Sequence, residues 1–327
     1  MSLARALWTV APGRCEIRTE ALPPRRADQA LVRMRASGIS RGTERLVLAG
    51  RVPESQRALM RCPLQAGEFP FPVKYGYSAV GVVEDGPEAL AGRRVFVLHP
   101  HQDRFLAPAA MCIPIPEAVP DRRAVLAANM ETAVNLLWDA RPLPGERCLV
   151  IGAGVVGLLT AFLLARIPGV EVAVCDIDPR RRAVAEALGA RFCAPEEAPE
   201  GRELIVHASA DPSGLRRALD LCAFEGRIVE ASWFGDREAT LPLGEAFHSR
   251  RLSIVSSQVG AVAPAMRGRR THGERMALAL SLLADPVLDA LVGPATRFED
   301  LPAALPRLLN PPPGEVPPLC PLVTYGA

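Results

Sequence analysis

Lysine is almost absent from this chain of 327 residues: Lys74 is the only one among 38 lysines and arginines. Aromatic residues are also few, at 5%, and the formal net charge is only +2. The basic residues are spread along the chain rather than gathered in a patch, so we expect no nucleic-acid or membrane partner. An apolar fraction of 49% is ordinary for a globular protein, and the length allows two domains.

Short cysteine motifs and a signal peptide are missing as well. The eight cysteines are scattered singly, without a Cys-x-x-Cys pair, which predicts buried thiols in a reducing compartment. The N-terminal segment has no apolar signal core, so the expected location is the cytoplasm. One uncharged run, residues 148–165, approaches the length of a membrane span, but its three glycines predict a strand, a turn and a buried helix instead.

What the sequence does contain is an alternation of strands and helices. Strands such as "RCLVI" and "VEVAVCDID" alternate with helices such as "PRRRAVAEALGA", which predicts a doubly wound parallel sheet in an α/β domain, residues 126–255. Residues 1–125 show short strands broken by proline and glycine, which predicts an antiparallel β-rich domain. We expect residues 256–327 to return to that first domain.

A cofactor site is predicted at the first turn of the parallel sheet. Gly152, Gly154 and Gly157 form Gly-x-Gly-x-x-Gly directly after a strand, where they allow a tight turn, close approach of pyrophosphate, and packing of helix on sheet. Asp176 follows at the end of the next strand, where a carboxylate binds ribose hydroxyls. Its charge would repel a 2′-phosphate, so NAD is expected rather than NADP, although the arginines at 180–182 favour NADP.

The whole arrangement resembles the medium-chain dehydrogenase/reductase superfamily, which includes the zinc-type alcohol dehydrogenases. The resemblance covers nearly the whole chain and is carried by "SGISRGTERL" (37–46), "FPVKYGYSAVGVVEDG" (71–86) and "LPGERCLVIGAGVVGL" (143–158). The phrase "SGISRGTE" is also similar to the bacteriochlorophyllide dehydrogenase branch. The resemblance implies a GroES-like catalytic domain, a Rossmann cofactor domain, and a homodimer paired through "RLSIVSS". It further implies cofactor contacts at Val155, Val156, Ile177, Arg181, Ala208, Ala231, Ser232 and Ser256.

The zinc ligands of that superfamily are missing at the matching positions. Where the zinc enzymes carry cysteine in the first loop and His-Glu in the second, this sequence has Ser40, and then Tyr77 and Ser78. Hydroxyls are poor replacements, because zinc sites are built from Cys, His and carboxylate ligands. The four-cysteine structural zinc lobe is absent too. Zinc is therefore not expected as a cofactor.

Without zinc, a hydrogen-bond donor must face the reacting oxygen. Tyr77 stands where the resemblance places the histidine ligand, and Ser40 where it places the cysteine. Lys74, three residues before Tyr77, is a candidate to lower the phenol pKa or to bind an anionic substrate. Thr43 resembles the hydroxyl that relays protons in the zinc enzymes.

Two further residues complete the candidate catalytic set. His99 is expected to carry protons in preference to His101, because it is the first residue past its strand. Glu131 is expected near the nicotinamide, where it would orient the carboxamide or an alcohol. A metal bound by these two histidines and Glu131 is an alternative, although their spacing matches no standard site.

The expected reaction is hydride transfer between NAD(H) and the carbonyl or secondary alcohol of a small-molecule substrate. Two alternatives stay open: an ene-reductase of the quinone-reductase type, and an NAD-binding protein that has lost its activity. Product analysis separates the expected reaction from the ene-reductase, because the expected enzyme reduces a carbon–oxygen bond and an ene-reductase reduces a carbon–carbon bond. Bound NAD without turnover would favour the inactive NAD-binding protein.

Overall fold

The computed structural model describes residues 2–326, whose contacts form two units. One unit holds the chain up to Ala128 together with the chain from Met276 onward, and the other is Asn129–Arg275. The sequence predicts domain boundaries at 125 and 255, whereas the contacts group residues 256–275 with the unit Asn129–Arg275. The physical reason is Arg275, whose buried guanidinium bonds to Glu131 and Asn135 inside the second unit.

The N-terminal part of the chain forms short strands with two short helices. Proline and glycine separate many of these elements, which keeps them short. In chain order they are β1 (Leu3–Ala11), β2 (Arg14–Ala21), β3 (Gln29–Gly38), α1 (Arg41–Leu48), β4 (Ala66–Gly67), β5 (Val73–Lys74), β6 (Ala79–Asp85), β7 (Arg94–Val97), β8 (Arg104–Pro108), β9 (Ile113–Pro114) and α2 (Asp121–Ala124).

Strands and helices alternate in the middle of the chain, as the apolar pattern predicts. They are α3 (Ala127–Ala140), β10 (Arg147–Ile151), α4 (Val155–Leu164), β11 (Glu171–Cys175), α5 (Arg182–Ala187), β12 (Arg191–Cys193), β13 (Arg202–His207), α6 (Pro212–Leu221), β14 (Cys222–Glu230) and β15 (Ser253–Ser256). The last part contains α7 (His272–Leu282), β16 (Val292–Arg297), α8 (Leu301–Leu309) and β17 (Cys320–Thr324).

The first unit contains two sheets. The smaller has the order β2-β1-β5-β4, and the larger the order β16-β17-β3-β6-β7-β9, with β8 also paired to β3. Strand β17 lies antiparallel to β3, with Val323 opposite Ser37. Alternate residues of β3, Val32 and Met34, point into a core that also contains Phe105. The C-terminal segment therefore supplies a strand beside β3.

The second unit is a six-stranded parallel sheet of order β12-β11-β10-β13-β14-β15. The strand order reverses between β10 and β13, and in such sheets ligands bind outside the carboxyl ends of the strands at that point. Residues 148–165 divide into β10, a glycine turn and α4, as expected. Nowhere in residues 2–326 is a helix long and apolar enough to cross a membrane. The predicted α/β fold class is confirmed.

Candidate cofactor and catalytic sites

The glycine turn after β10 has the geometry of a phosphate-binding loop. Gly152 has a φ of +110°, and a Cβ added there would lie 2.7 Å from the backbone nitrogen of Ser209. A Cβ on Gly157 would lie 2.0 Å from the carbonyl oxygen of Gly152. A Cβ on Gly154 would meet no described atom within 4 Å, although that residue caps α4. The first and third glycines are thus required by packing, and the second leaves open space where a phosphate fits.

Asp176 is held beside that turn by two backbone hydrogen bonds. Its carboxylate accepts the N–H of Ala153 at 2.6 Å and the N–H of Asp178 at 2.8 Å. These contacts fix the carboxylate at the end of β11, in the position that the sequence pattern predicts for a ribose ligand. The next residue, Ile177, is 87% exposed, so its apolar side chain is accessible to a flat ring. The turn and Asp176 together fit a dinucleotide.

Asp178, which the cofactor pattern does not include, contacts two of the three arginines that favour NADP. Its Oδ1 accepts Arg180 Nε at 2.6 Å, its Oδ2 accepts Arg180 Nη2 at 3.1 Å, and Arg181 Nε lies 4.0 Å away. Hydrogen bonds from Arg180 lower the pKa of Asp178. The signal for this residue was present in the sequence, since an Asp before Pro179 is a typical helix N-cap followed by proline.

The other predicted cofactor residues lie at the carboxyl ends of the parallel strands or at the start of α4. The N–H of Ala208 bonds to the carbonyl of Ile151 at 2.8 Å, and the hydroxyl of Ser232 accepts the N–H of Ala210 at 3.0 Å. These bonds tie the strand ends together beside the glycine turn. Arg181 is buried, and Val155, Val156, Ala231 and Ser256 occupy the positions expected from the element order.

A buried histidine that the sequence did not single out lies at the same edge. His207, at the end of β13, has Nδ1 at 2.7 Å from Glu230 Oε2 and Nε2 at 2.7 Å from the hydroxyl of Ser209. The imidazole stacks against Phe234 with ring centroids 6.0 Å apart. A Cβ on Gly214 would come within 2.9 Å of that imidazole, so α6 closes over it. The hydrogen bond between His207 and Glu230 thus connects the ends of β13 and β14.

In the first unit, three predicted hydroxyl residues meet. Ser40 caps the start of α1, Thr43 lies in its first turn, and both side chains hydrogen bond to the phenol of Tyr77. We call Ser40, Thr43 and Tyr77 the hydroxyl cluster. Burial raises the pKa of Tyr77 well above its usual range, an effect that the two hydrogen bonds only partly offset. The half-buried phenol is therefore a neutral hydrogen-bond donor at physiological pH.

Next to the hydroxyl cluster lies a hydrogen-bonded chain of four side chains, which we call the Glu44–His101 network. The carboxylate of Glu44 accepts the backbone N–H of Ser40 at 2.8 Å, and its other oxygen lies 3.1 Å from His101 Nε2. His101 Nδ1 lies 2.7 Å from Ser37 Oγ, which lies 2.9 Å from the phenol oxygen of Tyr325. Glu44, His101 and Ser37 are buried, whereas Tyr325 is only partly so.

Lys74 has partners other than those expected. Its Nζ donates to Glu20 Oε2 at 2.7 Å and to Gln102 Oε1 at 2.8 Å, and it lies 5.8 Å from the ring centre of Trp8. Only 7% of Lys74 is exposed, and its ammonium forms a partly buried ion pair with Glu20, whose side chain is 26% exposed. The expected pairing of Lys74 with the Tyr77 phenol is replaced by these contacts, because a compact ammonium can satisfy two acceptors in this small space.

His99 is likewise unsuited to the proton-carrying role that the sequence suggested. Its imidazole is buried, stacks on Phe105 with centroids 3.7 Å apart, and has Nδ1 at 2.9 Å from the carbonyl of Pro100. Burial lowers its pKa to about 3, so the ring stays neutral at physiological pH. His101, with both ring nitrogens in a hydrogen-bonded chain, is the better placed of the two.

Glu131 lies in the second unit and is paired with a buried arginine. Its Oε1 accepts Arg275 Nε at 3.0 Å, and the same guanidinium donates to the carbonyl of Val259 at 2.6 Å. Arg275 is only 1% exposed. Burial raises the pKa of Glu131, while the charge of Arg275 opposes that shift. The carboxylate is thus committed to an internal ion pair rather than open to a carboxamide.

The donor atoms at the zinc positions do not fit zinc. Ser40 and Tyr77 are hydrogen bonded to each other, and the buried Ser78 hydroxyl has no hydrogen-bond partner among residues 2–326. In the same described range, no group of three His, Cys, Asp or Glu side chains is placed to hold a metal ion. The residues of the alternative metal site have other contacts instead: His99 with the carbonyl of Pro100, His101 with Glu44, and Glu131 with Arg275.

Known proteins resemble this chain in sequence over part or most of its length. It is 25% identical to an uncharacterized zinc-type alcohol dehydrogenase-like protein of Haemophilus influenzae over 225 residues, 64% of this chain and 61% of that relative. It is 26% identical over 293 residues to the 2-desacetyl-2-hydroxyethyl bacteriochlorophyllide A dehydrogenase of Cereibacter sphaeroides, covering 83% and 86% of the two chains. The chain thus spans less than two thirds of the first relative. No family model matches.

Solved structures share the fold along almost the whole chain. A zinc-binding dehydrogenase from Sinorhizobium meliloti, bound to NADP, matches with a TM-score of 0.79 and 17% identity, covering 99% of this chain and 100% of its own. An alcohol dehydrogenase from Escherichia coli, complexed with NADH, matches with a TM-score of 0.80 and 20% identity over the same shares. The fold class is therefore that of proteins that combine a β-rich domain with a parallel-sheet, dinucleotide-type domain. Together with the sequence relatives, this confirms the resemblance to the medium-chain dehydrogenase/reductase superfamily.

Proposed function

We propose that this protein is an NAD(H)-dependent oxidoreductase of the alcohol dehydrogenase type that transfers hydride without zinc. The observation that carries the proposal is the glycine turn at the sheet's reversal point, with Asp176 fixed beside it. Relatives described as dehydrogenases, and structural neighbours that contain NADP or NADH, support a nicotinamide cofactor. The substrate is a small molecule with a carbonyl or a secondary hydroxyl.

The second unit supplies the cofactor contacts. The backbone N–H groups at Gly154 and at the N-terminus of α4 donate to the pyrophosphate, and Asp176 accepts hydrogen bonds from the adenosine ribose. When bound, the nicotinamide donates or accepts the hydride. Asp176 and Asp178 both place negative charge at the end of β11, where a 2′-phosphate would lie. We therefore propose NAD as the preferred cofactor.

The first unit supplies the donor that replaces the metal. The Tyr77 phenol is protonated and is oriented by hydrogen bonds from Ser40 and Thr43. A neutral donor of this kind polarises a carbonyl and stabilises negative charge on its oxygen during reduction. Ser40 and Thr43 position the phenol, and Tyr77 is the residue that contacts the substrate oxygen.

We propose that the Glu44–His101 network exchanges the proton that accompanies the hydride. His101 can carry its proton on Nε2 and accept from Ser37, or carry it on Nδ1 and accept from Glu44. During alcohol oxidation the second form passes the proton of Glu44 to Nε2, while Nδ1 gives its proton to Ser37, Ser37 gives its own to Tyr325, and the Tyr325 phenol releases one proton; carbonyl reduction runs the same transfers in reverse. The network thus links the buried carboxylate beside the hydroxyl cluster to a partly exposed side chain. This assigns to His101 the role that the sequence gave to His99.

The test is a turnover screen with NAD or NADH against alcohols, ketones, aldehydes and α,β-unsaturated carbonyls, followed by nicotinamide absorbance and product analysis. Tyr77→Phe should lower turnover about 100- to 1,000-fold on any substrate found, because it removes one preorganised donor. The affinity for NAD should not change. Tyr75→Phe is the matched control, since Tyr75 is the neighbouring ring, 6.0 Å from Tyr77, and should turn over normally.

Each outcome of that screen has a clear meaning. Normal turnover by Tyr77→Phe would remove the proposed donor. Reduction of the carbon–carbon bond alone would move the function to an ene-reductase. Tight NAD binding without turnover of any compound in the panel would contradict the proposed enzyme activity and favour an NAD-binding protein without catalytic activity.

We also propose a homodimer formed through β15. This strand is at one edge of the six-stranded sheet, its residues are largely exposed, and Val255 is 40% exposed. An exposed edge strand offers unpaired backbone groups to a second copy. Light scattering at micromolar protein should give twice the chain mass, and a monomer would contradict the proposal.

A further inference from the structure

We infer that Asp178 is a second determinant of cofactor choice, because it engages Arg180 and Arg181 and so keeps their charges from a 2′-phosphate. The inference deepens the proposed function and rests on it, since it concerns the same cofactor site. It assigns NAD selectivity to two carboxylates of different type: Asp176 faces the ribose directly, and Asp178 acts through the arginines. We call Asp178, Arg180 and Arg181 the arginine clamp.

The contacts in the arginine clamp are specific. Both carboxylate oxygens of Asp178 accept from the Arg180 side chain, at 2.6 and 3.1 Å, and Oδ1 also accepts the backbone N–H of Arg180 at 3.1 Å. The guanidinium is thereby folded back onto the loop that follows β11. A guanidinium bound on two donors to a carboxylate offers fewer donors to a phosphate, which is the ligand that an arginine fork otherwise suits.

Arg181 contributes a less mobile charge to the same place. It is 8% exposed, its Nε lies 4.0 Å from Asp178, and it also interacts electrostatically with Asp176. Asp176 and Asp178 thus offset the charges of Arg180 and Arg181 at the end of β11. Removing the charge of Asp178 makes this place more positive by one charge, where a 2′-phosphate of NADP would bind, whereas NAD carries no group there.

The backbone shows which substitution tests this cleanly. Asp178 caps the single helical turn Pro179–Arg181, and its own N–H is bound by Asp176. Asparagine caps a helix as well as aspartate does, so Asp178→Asn removes the charge and keeps the cap. Asp178→Ser is a second capping variant in case the first folds poorly. The affinity for NAD should change by no more than about twofold, because the ribose contact of Asp176 is retained.

The experiment titrates the full chain with NAD, NADP, 5′-AMP and 2′,5′-ADP by calorimetry, and it needs no substrate. In Asp178→Asn, NADP and 2′,5′-ADP should bind about five- to tenfold more tightly than in the wild-type protein, since one exposed arginine gains a phosphate partner. Binding of 5′-AMP, which lacks the 2′-phosphate, should not change. The gain should weaken as salt is raised.

The double variant Asp178→Asn/Arg180→Ala separates release of the arginine from simple loss of negative charge. If the clamp is correct, the double variant loses most of the gain in NADP affinity, and Arg180→Ala alone changes little. A gain that survives removal of Arg180 would overturn the clamp, and so would an unchanged ratio of NADP to NAD affinity in both capping variants. A wild-type protein that binds neither dinucleotide would overturn the proposed function as well, so the two failures can be told apart.

Discussion

His99 should make the folded protein less stable as the pH falls. The imidazole is buried against Phe105, and burial lowers its pKa from the ordinary value of 6.5 to about 3. The folded state therefore stays unprotonated at this site over a range in which the unfolded chain binds a proton. The unfolded state gains stability from that proton and the folded state does not, so the free energy of unfolding decreases between about pH 6.5 and pH 3.

The size of the effect follows from the two pKa values. With one proton taken up only by the unfolded chain, the free energy of unfolding changes by about 1.4 kcal/mol per pH unit. Between about pH 7 and pH 4.5 the loss due to His99 should be about 2.5 kcal/mol. The substitution His99→Phe keeps an aromatic ring on Phe105 but cannot titrate, so it should remove this loss.

Denaturant unfolding at several pH values measures the difference. The stability of the wild-type protein relative to His99→Phe should fall by about 2.5 kcal/mol between about pH 7 and pH 4.5. His248→Gln, which replaces an exposed histidine, serves as the control for a substitution outside the core. Parallel curves for the wild-type protein and His99→Phe would refute the reasoning and restore His99 as a candidate proton carrier.

Two further outcomes are expected. Glu131→Gln should lower the free energy of unfolding by about 3 kcal/mol, because it leaves the buried charge of Arg275 without its carboxylate partner. The control Glu186→Gln, at an exposed residue, should have little effect. An equal loss of stability in the two variants would contradict a stabilising ion pair between Glu131 and Arg275. The purified protein should contain well below one equivalent of zinc, and a chelator should leave its melting temperature and its NAD affinity unchanged; stoichiometric zinc by metal analysis would contradict the proposed donor.

The cofactor half of the site could be predicted because its geometry is local. Gly152, Gly154 and Gly157 lie within six residues, and the positive φ of the first and the close packing of the third are properties of one turn. Asp176 follows from the length of one helix and one strand. The helix-cap pattern at Asp178 does not give its contacts with the Arg180 side chain, which are seen only in the structure.

The polar partners in the first unit could not be predicted, because they are far apart in sequence. Lys74 and Glu20 are separated by 54 positions, His101 and Glu44 by 57. No periodicity or short motif relates residues at such distances, so side-chain chemistry alone suggested roles that the packing does not support. The contact between Ser40 and Tyr77 could be predicted from the family resemblance, but not from their spacing in the sequence.

The pairing of β17 with β3 has a consequence for the order in which the chain is completed during synthesis. The residues of the parallel-sheet unit, 129–275, all leave the ribosome before β17 does. Strand β3 can pair with β17 only after more than 280 intervening residues have been made, and the same holds for the hydrogen bond between Ser37 and Tyr325. The nascent chain therefore completes the parallel-sheet unit before the first unit, and under the proposed function a bound nucleotide would stabilise the growing protein while β3, already paired with β6 and β8, still lacks β17.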